Sequence, residues 1–293
     1  MVDVTSESSM SGGEYCRVVA AGPTLAYEVV TSSDVSSSLT LFCLHGNSSH
    51  RGIWRTVAGQ LQGYRSVLLD LRGFGDSDQV SPPAYNPEHH AADIAAVVSG
   101  GLIRPPYAIL AHSAGALAAA RFIASAPVSS ITLPEAFVWV DLDPLVPRWQ
   151  VDYFHQGVSS VSRVFATIED AARPFRRIYP KIPEDRLQAF VIEGLRPVEG
   201  GFRLKLDPAT YGTWEPGDLR PLLPAVLCPT LVLRGSESIV TSADGMSALT
   251  HGLSDHEFHE LEGGTHMLLL EEPERAADVI GDFLDRRAFR PAN

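Results

Sequence analysis

Short apolar runs alternate with longer amphipathic stretches along most of the chain. Leu39 to Leu44, Ser66 to Asp70, Tyr107 to Ala111, Ala136 to Asp141 and Thr230 to Arg234 read as buried β-strands. Between them, Tyr85 to Val98 and Gly115 to Ala126 set apolar residues three and four apart, the period of a helix with one buried face. Strands apolar on both faces need cover on both, so the alternation predicts an α/β fold: a mostly parallel twisted sheet between two helical layers. Cys16 to Val30 reads instead as an antiparallel hairpin, its apolar runs broken at Ala21-Gly22-Pro23.

The pattern changes between about Pro144 and Pro216, where amphipathic helices broken by prolines replace buried strands. Strand and helix alternation resumes at Leu219. Glu272 to Arg287 gives a last helix with Ala276, Val279, Ile280, Phe283 and Leu284 on one face. The expected division is therefore one α/β core, residues 15–145 and 217–293, interrupted by a helical cap at 146–216. Residues 1–14, serine-rich and without an apolar run, are expected to be a disordered tail.

With 293 residues, of which 45% are hydrophobic, the chain can bury a full core without metal or disulfide staples. Its 23 basic and 35 acidic residues give a net charge of −12, and the basic residues do not cluster, which argues against nucleic acid and anionic membrane surfaces as partners. The first residues lack the basic start and apolar stretch of a secretory signal, and no window nears the roughly 18 apolar residues of a membrane span. A cytoplasmic protein with a small-molecule substrate is expected, its oligomeric state left open. Cys16, Cys43 and Cys228 read as free thiols, His89 and His90 as surface-loop residues without companions, and His256 and His259 as opposite faces of one strand. No metal site is expected. Gly73-Phe-Gly75 lacks the third glycine of a dinucleotide loop and no phosphate-binding GxxxxGK[ST] occurs, so no cofactor is implied.

The segment Tyr107-Ala-Ile-Leu-Ala-His-Ser-Ala-Gly-Ala-Leu runs from a buried strand into Ser113 and then into a small-residue helix. A serine on such a turn projects its hydroxyl above the sheet, and tiny neighbours two residues either side, here Ala111 and Gly115, let the backbones crowd there. Upstream, strands end in His45-Gly46-Asn47 and in Asp70-Leu-Arg72-Gly73-Phe-Gly75-Asp76-Ser; near the C-terminus stands Gly263-Gly264-Thr265-His266-Met267. In these four motifs, and over nearly its whole length, the chain resembles the α/β-hydrolase superfamily, with alanine in place of the first glycine of GxSxG.

The resemblance implies that Ser113 is the nucleophile, His266 its general base, and the amides of Asn47 and Ala114 an oxyanion hole, with Gly46 allowing that backbone to approach. A serine hydroxyl is a poor nucleophile until a base takes its proton, and histidine does this near neutral pH. His45 is expected to brace the oxyanion loop and His112 to have no catalytic part. Arg72 and Asp70 are expected to organise the loop below, and Asp76 to face solvent. His45-Gly46-Asn47 with Trp54 looks like the haloalkane dehalogenase branch, which sets Trp54 on the substrate side, although Ser113 excludes that branch's aspartate chemistry.

The acid departs from the common pattern, which puts an aspartate where Arg234-Gly-Ser-Glu-Ser places Ser238. Some branches take the acid from the strand after the nucleophile helix, and Asp141 stands at the matching point, with Asp143 and Glu237 as alternatives. A relocated acid orients the histidine equally well, because its role is geometric and electrostatic. The expected protein is a serine hydrolase cleaving an ester, lactone, thioester or activated carbon-carbon bond in a small, fairly apolar molecule. Trp149, Tyr153, Phe154, Phe165, Phe175 and Tyr179 either line its pocket or pack the lid. Two other readings remain: a cofactor-free dioxygenase or lyase on the same fold, and a non-catalytic ligand-binding member.

Overall fold

A computed structural model describes residues 6–8, 14–31, 38–125 and 131–287. Strands β1 (Ser6–Ser8), β2 (Glu14–Val19), β3 (Thr24–Thr31), β4 (Thr40–Leu44), β5 (Arg65–Leu69), β6 (Tyr107–His112) and β7 (Ala136–Val140) precede a hairpin, β8 (Leu195–Val198) and β9 (Gly201–Leu204). Strands β10 (Thr230–Gly235) and β11 (His256–Leu261) follow. Nine of them form one sheet in the order β1-β2-β3-β5-β4-β6-β7-β10-β11, parallel from β5 to β11 and antiparallel at the β1 to β3 end. Of the tail expected to be disordered, Ser6–Ser8 instead pairs with β2, which supplies a ready edge; residues 1–5 and 9–13 lie outside the described residues.

The helices are α1 (Arg55–Gln60), α2 (Pro87–Ser99), α3 (Ala114–Ser125), α4 (Arg148–Ser162), α5 (Ile168–Ile178), α6 (Glu184–Glu193), α7 (Ala209–Gly212), α8 (Ala243–Gly252), α9 (Leu268–Glu271) and α10 (Pro273–Arg287). The pleat splits the sheet's side chains between two cores. Phe42, Leu44, Ile109, Phe137 and Trp139 pack with α2 and α3, whereas Leu41, Cys43, Leu110, Val138 and Val140 pack with α1 and α10. All six residues of β6 are buried, as a central parallel strand covered on both faces requires.

Between β7 and β10 the chain forms α4 to α7 outside the main sheet. Proline does not break every helix here: Pro174 lies inside α5. The helical expectation for this stretch also missed the β8–β9 hairpin, a half-exposed pair turning at Glu199-Gly200, where both Gly200 and Gly201 have positive φ. His89 and His90 are not in a loop but in α2, started by Pro87. His90 is buried, which pushes it down to about 3 and keeps it neutral.

The order of strands reverses direction between β4 and β6, and in open α/β sheets the crevice at such a switch point, outside the carboxyl ends of the strands, is where ligands bind. The register aligns Leu44 with Ala111, His112 with Val140 and Val140 with Leu233. The residues that follow, His45, Ser113 and Asp141, therefore emerge along one edge.

Candidate active site

Ser113 leaves β6 in the left-handed region, at φ 53°, a conformation that costs an L-residue strain and is held by its amide donating to Val140 O at 2.8 Å. The loop after β4 packs directly on it. A β-carbon added to Gly46 would lie 2.6 Å from Ser113 Cβ and 3.1 Å from its Oγ, so only glycine fits. On the other side of the turn, Gly115 admits the His45 carbonyl where any side chain would collide. Ala114 opens α3, so its amide belongs to the first turn, whose N–H groups have no partner within a helix. Asn47 follows Gly46.

The loop is braced from beneath by His45. Its Nε2 accepts from Leu71 N at 3.0 Å, so the proton sits on Nδ1, which donates to Gly46 O at 2.7 Å. Burial pushes His45 down to about 4, and the neutral ring holds both contacts. Trp54 is not on the substrate side. It is fully buried with α1 and α10, and its indole N–H donates to Leu44 O at 2.8 Å, because an indole so enclosed must spend its one donor on the backbone.

His266 arrives on the turn after β11, where Gly263 at φ 78° reverses the chain. Its Nδ1 lies 2.7 Å from Asp141 Oδ2. The loop is held from two sides: Glu271 accepts from Thr265 N at 2.8 Å and Thr265 Oγ1 at 2.7 Å, and His112 Nε2 donates to His266 O at 2.8 Å. His112, expected to have no part, thus places the His266 backbone, and its ring stands 4.6 Å from that of His266. Burial, reinforced by the neighbouring His266, keeps His112 neutral.

Asp141 is buried, sits at φ 55°, and receives three donors. Gly235 N donates to Oδ1 at 3.0 Å; Ser238 Oγ at 2.6 Å and His266 both reach Oδ2. Ser238, at the position where the resemblance leads one to expect an acid, is therefore a hydrogen-bond donor to Asp141. The two alternatives stand elsewhere. Asp143 accepts from Ser242 N and Oγ at the start of α8, and Glu237 is exposed and paired with Lys181 at 2.7 Å.

A second buried charged cluster lies at the other side of this edge. Arg51 is 2% exposed and its guanidinium contacts Asp70, Asp76 at 3.0 Å and Glu193 of α6 at 3.7 Å. Asp76 does not face solvent: it is also paired with Lys205 at 2.7 Å, because the turn carrying it folds under the inserted segment. Arg51, by its charge and its backbone amide, holds Asp70 below the usual carboxylate range against its burial, and Arg55 helps hold Glu193 down to about 2. Arg72 pairs with Asp93 at 2.6 Å. Sequence reading missed Arg51, which no motif marks, and the partner roles of His112 and Ser238, which depend on contacts across 154 and 97 residues.

Among the described residues no group of three or more His, Cys, Asp or Glu side chains is set to hold a metal, and no helix is long and apolar enough to cross a membrane. Comparison with known proteins agrees with the architecture. The 2-(acetamidomethylene)succinate hydrolase of Mesorhizobium japonicum is 27% identical over 254 residues, covering 85% of this chain and 89% of that protein. A monoacylglycerol lipase of Xenopus laevis is 23% identical, covering 84% and 75%. A crystal structure of E-2-(acetamidomethylene)succinate hydrolase superposes with a TM-score of 0.81 at 25% identity, over 97% of this chain and all of that one. The model of the alpha/beta hydrolase family matches residues 41–279, and with relatives named as hydrolases along most of its length the chain belongs to that family and is a hydrolase.

Proposed function

We propose that this hydrolase works by acyl transfer through Ser113, His266 and Asp141 on an ester, thioester, lactone or activated carbon-carbon bond of a small, fairly apolar molecule. The observation that carries the reading is the 2.7 Å contact between His266 Nδ1 and a buried Asp141 carboxylate, beside a serine on a strained strand-to-helix turn. With Nδ1–H committed to Asp141, Nε2 is the basic nitrogen, which is the tautomer a general base needs.

In the proposed reaction His266 Nε2 takes the Ser113 hydroxyl proton as Oγ attacks the carbonyl carbon. The C–O π electrons move to oxygen, and the Asn47 and Ala114 amides receive that oxyanion; donors of this kind are worth roughly 3 to 4 kcal/mol each. His266 then hands its proton to the leaving group, a heteroatom or the activated carbon, as that group's bond to the former carbonyl carbon breaks and the C=O re-forms. Water repeats the cycle on the acyl-enzyme and restores Ser113. The segment between β7 and β10 serves as the cap over this edge: its Tyr211 meets Ser48 beside the proposed oxyanion loop. Trp149 and Tyr153, one turn apart on α4, are exposed apolar surface on the same segment and favour apolar ligands.

The reading is tested by treating wild type and Ser113→Ala with a fluorophosphonate and weighing the intact proteins. One adduct on wild type and none on the variant is expected. No adduct on folded wild type would overturn it and return weight to the dioxygenase and ligand-binding readings.

A further inference from the structure

Among the described residues three non-glycine residues occupy the left-handed region: Ser113 at φ 53°, Asp141 at φ 55° and Ser48 at φ 59°. The first two have proposed parts in catalysis, and Ser48 has none. Such strain persists only where its surroundings impose it, and it gathers at functional positions. Ser48 follows Asn47 on the loop that packs against Ser113, and its hydroxyl is hydrogen bonded to the Tyr211 hydroxyl of α7. Tyr211 is itself 7% exposed, with its ring fixed edge-on against Phe154 at 4.9 Å.

Two hydroxyls sharing one hydrogen bond leave one O–H hydrogen over, whichever of them donates. No acceptor in the described protein takes it. Next to it, Asn47 Nδ2 is buried and also lacks an acceptor. A buried donor without a partner, as Asn47 Nδ2 is, costs about 1 to 3 kcal/mol and is relieved by an acceptor from outside the protein, while Ser48 is half-buried and its hydroxyl within reach of the same visitor. The nearby cations are already neutralised, Lys205 by Asp76 and Arg51 by Asp70 and Asp76. The acceptor that suits the surplus donors is therefore neutral. A cavity of ≈ 20 Å³, with room for about one oxygen-sized atom, adjoins the Ser48 side of the pair; Ser49, His50, Phe190 and Lys205 also line it, and Asn47 and Tyr211 do not.

We propose that Asn47 Nδ2 and the Ser48–Tyr211 hydroxyl pair form a subsite for a second, neutral carbonyl oxygen of the substrate, a keto or amide oxygen close to the carbonyl that Ser113 attacks. The subsite rests on the acyl-transfer reading for its place in the reaction, and it deepens that reading by naming the acyl class: an oxoacyl or acylamino compound rather than a plain alkanoyl ester. A site built to hydrogen-bond a polar group discriminates strongly against the analogue that lacks it, because its own donors are then left unpaired.

The test reads binding without turnover. In Ser113→Ala protein, calorimetry compares phenyl 3-oxobutanoate with phenyl butanoate, which differ by one keto oxygen. The oxo ester is expected to bind about tenfold or more tightly. That preference is expected to collapse in Ser113→Ala/Ser48→Ala/Tyr211→Phe, whose two further substitutions remove both hydroxyls while the phenyl ring keeps its packing, since either hydroxyl left alone still has a hydrogen to donate. Equal affinity for both esters, no measurable binding of the oxo ester, or a preference that survives both further substitutions would each overturn the subsite. Failure of the acyl-transfer reading shows separately, as a wild-type protein without a fluorophosphonate adduct.

Discussion

Asp70 and Asp141 leave the sheet at equivalent points, one residue beyond the ends of β5 and β7, and both are buried from solvent. Their partners make them different. Asp70 faces Arg51, whose charge is permanent, and also accepts from the Arg51 and Asp76 amides. Asp141 faces a histidine, a hydroxyl and an amide. A carboxylate locked to guanidinium has no proton traffic to offer and serves to pin the loops around it. A carboxylate held by neutral donors has an attraction in reserve, which rises when the imidazole beside it gains a proton. The chemistry of the edge is thus decided by what each acid is paired with, since strand position and burial are alike.

The sharpest way to break this comparison is to neutralise the two acids in turn. Asp141→Asn is expected to lower ester turnover by about 10³- to 10⁴-fold, through loss of the histidine tautomer, with the melting temperature little changed. Arg51→Met should do the reverse: it leaves Asp70 and Glu193 buried beside a lost charge and costs about 3 to 5 kcal/mol in denaturant unfolding, with labelling of Ser113 retained in the folded fraction. Ser238→Ala removes one hydrogen bond to a charged oxygen and should lower kcat by about tenfold. Unchanged kcat in that variant would show that Asp141 needs no help from the common acid position.

A smaller effect follows from the histidines. His45 and His90 are pushed down to about 4 and about 3 by burial, and His112 is also held well below its ordinary value. In the unfolded chain each takes up a proton near pH 6.5. Between about pH 6.5 and 4 the unfolded state therefore binds protons that the folded state does not, and stability falls with pH by up to about 1.4 kcal/mol per unit for each histidine. Asp93 and Asp143, raised by burial, work in the opposite direction. Denaturant unfolding at pH 7 and pH 5 measures the balance, and stability that is flat or rises on acidification would contradict it. The smallest effect is expected for Glu237→Gln, which breaks only an exposed pair with Lys181 and should leave turnover within about twofold.

Legibility in the sequence followed the range of the interactions. The strands, the hairpin at residues 14–31 and the crossover helices rest on local periodicity, and they lie within a residue or two of where the pattern puts them. The strained turn at Ser113 was visible because strand, serine and small residues are contiguous. Asp141 was visible as one of three acids; only contacts across the fold separate it from Asp143, which accepts from Ser242, the N-cap of α8, and Glu237, which faces water. Trp54 was misplaced because proximity to Gly46 in sequence says nothing of which face of the sheet an indole takes. The β8–β9 hairpin was passed over although Glu199-Gly200-Gly201 is a turn signal, since its strands are too short and too exposed to show a buried run.

The central claim is that Asp141, and not an acid at the common position, serves the base that activates Ser113. It is tested most directly by the rate at which a fluorophosphonate labels Ser113 in wild type and in Asp141→Asn, followed by intact mass on protein whose melting temperature is checked in parallel. The account predicts labelling slowed by about a thousandfold in the variant at an unchanged melting temperature. Equal labelling rates in two equally folded proteins would contradict it.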